Sequence, residues 1–66
     1  MSKDRVIDVL CKCGPCTIQE LGGKIGDLSL IELRKILSDL LREGIVDKKP
    51  DYEKGKLVFI VNKKYC

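Results

Sequence analysis

The chain has 66 residues, 35% of them charged and 44% hydrophobic, with 13 Lys and Arg against 10 Asp and Glu, a net charge of +3. A chain this short buries only about 60% of the surface its unfolded form exposes, which describes one small domain and excludes an enzyme with a deep, walled cleft. The longest apolar run, 57–61, falls far short of the ~20 residues of a membrane helix, and the opening Met-Ser-Lys-Asp-Arg has no apolar stretch, so neither membrane insertion nor a secretory signal is expected.

The first segment, about 3–12, sets Val6, Ile7, Val9 and Leu10 at helical spacing, with Lys3, Asp4, Arg5 and Asp8 on the other side. Ser2 is placed to cap it. Gly14-Pro15 stops it, because proline cannot continue the ladder and glycine supplies a left-handed exit. A second helix, about 18–25, starts from Thr17. Glu20 completes a capping box with Thr17, each side chain satisfying the other's free backbone N–H. Leu21 and Ile25 can face a core, while Gly22-Gly23 weaken the helix by about 1 kcal/mol each against alanine.

Ser29 opens the third helix, about 29–43, and Glu32 completes a second capping box. Leu30, Leu33, Ile36, Leu37, Leu40 and Leu41 share one broad apolar face, and Ile31, Lys35, Ser38 and Arg42 lie opposite, flanked by Glu32, Arg34 and Asp39. Three basic and three acidic residues leave this helix neutral, so the net charge is expected to be thinly spread. Gly44 ends it. Thereafter the pattern is that of strands, about 45–49 and 56–61, with turn chemistry at 50–55 between them: a β-hairpin with a longer loop. Residues 62–66 read as a polar tail.

The phrases Gly14-Pro15-Cys16-Thr17-Ile18-Gln19-Glu20-Leu21, Leu33-Arg34-Lys35-Ile36-Leu37-Ser38-Asp39-Leu40 and Leu41-Arg42-Glu43-Gly44-Ile45-Val46 carry a family likeness. In their order and spacing they resemble the winged helix-turn-helix family over nearly the whole chain. The resemblance implies an α+β, mainly α, fold, with three helices and a C-terminal hairpin wing in a single domain, 1–66. It also implies a transcriptional regulator of double-stranded DNA, with helix 29–43 in the major groove and the 45–61 hairpin on backbone or minor groove.

Carried over by position, Ser29, Ile31, Glu32, Arg34, Lys35 and Ser38 lie on the groove side, with Arg42 further along. Arg34 and Lys35 would donate to guanine or phosphate, and Ser38 and Thr17 to phosphate. Lys48, Lys49, Lys54 and Lys56 flank the wing, with Tyr52 near its tip. A homodimer on paired half-sites would add to the few phosphate contacts one copy makes. The alternative is a protein-interaction module of a transcription or replication assembly, in which Ile31 and its neighbours meet another protein. Each basic residue also has a bland reading as solvated surface, and lysines on a wing discourage edge-to-edge strand association.

Cys11, Cys13 and Cys16 form a C-x-C-x-x-C run, and Cys66 is the last residue. The expected compartment is the cytoplasm, where four cysteines mean free thiols, a metal site or the disulfides tolerated in hyperthermophile cells. The absence of His, scarce Met, Asn and Gln, and plentiful Lys and Glu lean towards a thermophile. Three of the sulfurs can converge where the chain turns at Gly14-Pro15. Cys16 would begin a short strand against the last strand, and Cys66 can swing back.

Four thiolates would suit zinc or an iron–sulfur cluster, although no cofactor is required. Disulfides allow three connectivities among four cysteines, and Cys11 or Cys13 joined to Cys66 would tie the chain ends together. A thiol- or metal-responsive regulator combines these readings. Enzymatic activity is not expected. Without His there is no Ser/His/Asp set, Gly22-Gly23-Lys24-Ile25-Gly26 lacks the strand and spacing of a phosphate loop, and Cys13-x-x-Cys16 follows a helix end instead of opening one.

Overall fold

Both capping boxes form and set where the helices begin. In the computed structural model, which describes residues 2–66, the helices are α1 (Ser2–Cys13), α2 (Ile18–Lys24) and α3 (Leu30–Arg42). Strands β1 (Val46–Asp51) and β2 (Lys56–Val61) follow, then a 3-10 turn, Lys63–Tyr65. Thr17 Oγ1 accepts the Glu20 N–H at 3.1 Å while Glu20 Oε1 accepts the Thr17 N–H at 2.8 Å. Ser29 and Glu32 repeat the exchange at 3.1 and 3.2 Å. Ile25 and Glu43 are C-caps, not helical residues, and Gly44 makes the left-handed exit at φ 75°. The capping role expected of Ser2 is corrected, because Ser2 is itself the first helical residue of α1.

The expectation that β1 closes before Pro50 is corrected, because Pro50 pairs with Leu57 inside the antiparallel hairpin. The reason lies on the far side of β2. There Cys16 forms an isolated bridge with Phe59, its N–H donating to Phe59 O at 3.2 Å and its carbonyl accepting the Phe59 N–H at 2.7 Å. Phe59 therefore has no backbone group left for Lys48 across the hairpin, and that pair is a non-hydrogen-bonded one. Alternation makes Pro50 with Leu57 another, so the missing proline N–H costs the ladder nothing. Asp51 Oδ1 accepts the N–H groups of Glu53 and Lys54 at 3.0 and 3.1 Å, and Gly55 closes the loop at φ 67°.

The core joins Val6 and Leu10 of α1, Leu21 and Ile25, Leu33, Leu37 and Leu40 of α3, and Val46 and Val61 of the hairpin. On α3, Ile36 and Leu41 are only partly buried, and Leu30 is 50% exposed, off the face expected for it. The tail is not merely polar. Its Asn62 N–H donates to Ile45 O at 2.8 Å, Asn62 Oδ1 caps the 3-10 turn, and the turn carries Cys66 back to Cys11. No helix among the described residues is long and apolar enough to cross a membrane.

The α2 capping box also makes stability respond to acid. Glu20 is pulled down to about 2 from its ordinary 4.5, first by the Thr17 N–H and then by Lys54 Nζ at 2.9 Å. A carboxylate whose folded value is depressed stabilises the fold above its unfolded value and loses that contribution as pH falls through the folded one. Melts of the wild type and of Glu20→Gln are therefore expected to differ most above pH 4.5 and to converge towards pH 2. A gap that stays constant with pH would contradict this account.

Candidate nucleic-acid interface

Among the described residues, five ion pairs organise the surface charge. Lys3 of α1 meets Glu43 at 2.7 Å, and Arg5 grips Asp27 with two bonds of 2.6 and 2.7 Å. Lys12 meets Asp8 at 3.1 Å, Arg42 meets Asp39 at 3.4 Å, and Lys54 reaches back to Glu20 at 2.9 Å. These involve five of the 13 cations and five of the 10 carboxylates. Of the eight remaining cations, Arg34 and Lys35 stand on α3 and Lys48, Lys49 and Lys56 on the hairpin, all exposed. Of the carboxylates outside these pairs, Glu32 and Asp51 accept backbone N–H groups at turns, and Asp47 and Glu53 stand on the hairpin. The charge is thus thinly spread, as expected: the unpaired groups leave +1 on α3 and cancel on the hairpin. What sets these two elements apart is that five of their cations are outside ion pairs and open to a ligand.

The two elements meet over a shallow depression of about 230 Å³. Arg34 and Ser38 from α3 and Lys48 from β1 line it, around Ile18, Leu37, Leu41 and Phe59. A neighbouring depression adds Gln19, Lys56 and Leu57. The register explains the second half of this wall: Lys48 lies opposite Phe59 and Pro50 opposite Leu57, so all four side chains share one sheet face.

The expected contact residues divide into groups. Ile31 is 81% exposed and Tyr52, at the wing tip, 89%, and Arg34, Lys35, Ser38, Lys48, Lys49 and Lys56 are also exposed. Ser29 is exposed, but its hydroxyl is occupied as a cap. Thr17 is a correction. It is only 4% exposed and its hydroxyl accepts the Glu20 N–H, so it does not belong to the open face. Arg42 and Lys54 carry their charge against Asp39 and Glu20. Gln19 is an addition. It follows the capped Thr17 and stands away from the Leu21 and Ile25 side of α2, a position its spacing alone would have marked as open.

The cysteines separate into three environments. Cys11 is joined to Cys66, with Cα atoms 5.6 Å apart, Cys13 is exposed, and Cys16 is buried in the core. Burial pushes the Cys16 thiol up, the Glu20 carboxylate adds to the shift, and the group stays protonated and inert. With two sulfurs bonded and one facing the core, the donor set in this state does not fit a four-thiolate site. Among the described residues no three Cys, Asp or Glu side chains gather as metal ligands.

The chain is similar to the transcriptional regulator YodB from B. subtilis in its reduced form, with a TM-score of 0.84 and 25% identity. The match covers 94% of this chain and 61% of that regulator. No protein-family model matches the sequence, and no curated protein matches it closely. Three helices, a Cys16 bridge to the last strand and a two-stranded antiparallel hairpin, together with the likeness over 94% of the chain, give this chain the winged helix-turn-helix fold.

Proposed function

We propose that this domain is a transcriptional regulator, not an enzyme, that binds double-stranded DNA with α3 in the major groove and the β1–β2 hairpin as its wing. The observation that carries the reading is the set of unpaired cations Arg34, Lys35, Lys48, Lys49 and Lys56 on those two elements, away from the ion-paired α1 side. Likeness to a transcriptional regulator supports it. Phosphate neutralisation dominates such affinities, and each contact contributes about −0.9 to the slope of log K against log salt.

Titrating a random-sequence duplex by fluorescence anisotropy at several salt concentrations is expected to give a slope of about −4 per bound copy. No binding at low salt would remove the reading. The number of copies per duplex at saturation tests a homodimer on paired half-sites.

A thiol-responsive form of the same activity is a second reading, favoured by the exposed Cys13 standing two positions from the bonded Cys11. Equal affinities for oxidised and reduced protein in the same titration would dismiss it.

A further inference from the structure

Ile31 is the most exposed aliphatic side chain among the described residues, at 81%, and it stands on the first turn of α3. Nothing in the fold accounts for it. The core face of the helix is held by Leu33, Leu37 and Leu40, and Ile31 lies opposite them. Its neighbours along the exposed surface of the helix are Arg34 and Lys35, neither in an ion pair, with Ser38 beyond, and Arg34 and Ser38 line the depression facing Lys48. Glu32 beside it is turned back to the Ser29 N–H at 3.2 Å.

This setting decides between the two classes of occupant. A protein-docking patch joins several apolar side chains into one surface. Here a single apolar group is flanked by two cations, and Leu30, the adjacent exposed aliphatic, projects about 100° away around the helix. DNA offers the complementary pattern. Its major groove carries one apolar feature, the C5-methyl of thymine, set among hydrogen-bond acceptors and between rows of phosphates.

We infer that Ile31 reads thymine, packing on the C5-methyl while Arg34 and Lys35 engage the flanking phosphates or base acceptors. The inference rests on α3 being the groove helix, and it adds a base preference to that reading. The cations hold the helix in the groove whatever the sequence. Ile31 makes one base-pair position favour thymine.

The test begins with selection of preferred sites from a randomised duplex pool by the wild-type protein. The selected sites are expected to hold thymine at one fixed position. Replacing that thymine by deoxyuridine removes only the methyl group and lowers affinity about fourfold, the effect of one buried methyl. Ile31→Ala, at so open a position, keeps the wild-type melting temperature. It loses both the thymine preference and the deoxyuridine effect. Wild-type binding with no fixed thymine, or with a deoxyuridine effect that persists in Ile31→Ala, overturns the inference and leaves the DNA reading standing. Absence of binding to any duplex at low salt overturns both.

Discussion

Reduction of the Cys11–Cys66 bond lowers the melting temperature by roughly 15–30 °C, the largest stability change expected from any single bond in this domain. The bond spans 55 residues, so it closes a loop around the whole of α2, α3 and the hairpin. In the chain-entropy model a loop of that length is worth about 4 kcal/mol, and small domains shift by about 4–8 °C per kcal/mol. Set against a total stability of about 3–10 kcal/mol for a chain of this size, the bond supplies a large share.

Melts with and without a phosphine reductant measure the effect. Cys66→Ser reproduces it, because that variant removes the bond without touching a core residue. Cys13→Ser changes little, since Cys13 is exposed and unbonded. A shift of less than about 5 °C on reduction would mean that the unbonded chain keeps its ends together by other contacts, such as Asn62 on Ile45.

What could be read from the sequence was whatever is local along the chain. Thr17 with Glu20 and Ser29 with Glu32 are three residues apart, and both boxes form as their spacing predicts. The leucine spacing of α3 likewise picks out its buried side at Leu33, Leu37 and Leu40. What could not be read depends on residues distant in sequence. Lys3 and Glu43 are 40 residues apart, Arg5 and Asp27 are 22, and Lys54 and Glu20 are 34. A net charge carries no trace of such pairing, so which cations of α3 and the hairpin stay outside ion pairs could not be read from the sequence.

Pro50 fails for the same reason. Its place inside β1 is permitted by the Cys16 bridge to Phe59, which sets the register from the opposite edge of β2. A single bond forms and leaves Cys13 and Cys16 free, and the turn at Asn62 carries Cys66 back to Cys11. Thr17 shows a subtler limit: its capping role is local and legible, but its burial is tertiary and removes it from the open face.

Neutralising the three unpaired lysines of the wing tests whether these cations belong to the contact surface. In Lys48→Gln/Lys49→Gln/Lys56→Gln the salt slope is expected to fall by about 3, and affinity for random duplex by roughly 10²–10³-fold near 0.1 M salt. All three side chains are exposed and none is in an ion pair, so the melting temperature is expected to hold. The comparison that gives the experiment its force is Lys63→Gln/Lys64→Gln. Those lysines are also exposed and unpaired, but they sit in the 3-10 turn, where Tyr65 and the following Cys66 line a depression with Asp4, Ile7, Asp8 and Cys11 of α1. If binding answered only to net charge, each lysine in either set would weigh the same. If α3 and the wing form the contact surface, loss per lysine is about tenfold on the wing and close to none in the tail. Equal losses per lysine would show that the domain attracts DNA without presenting this face to it.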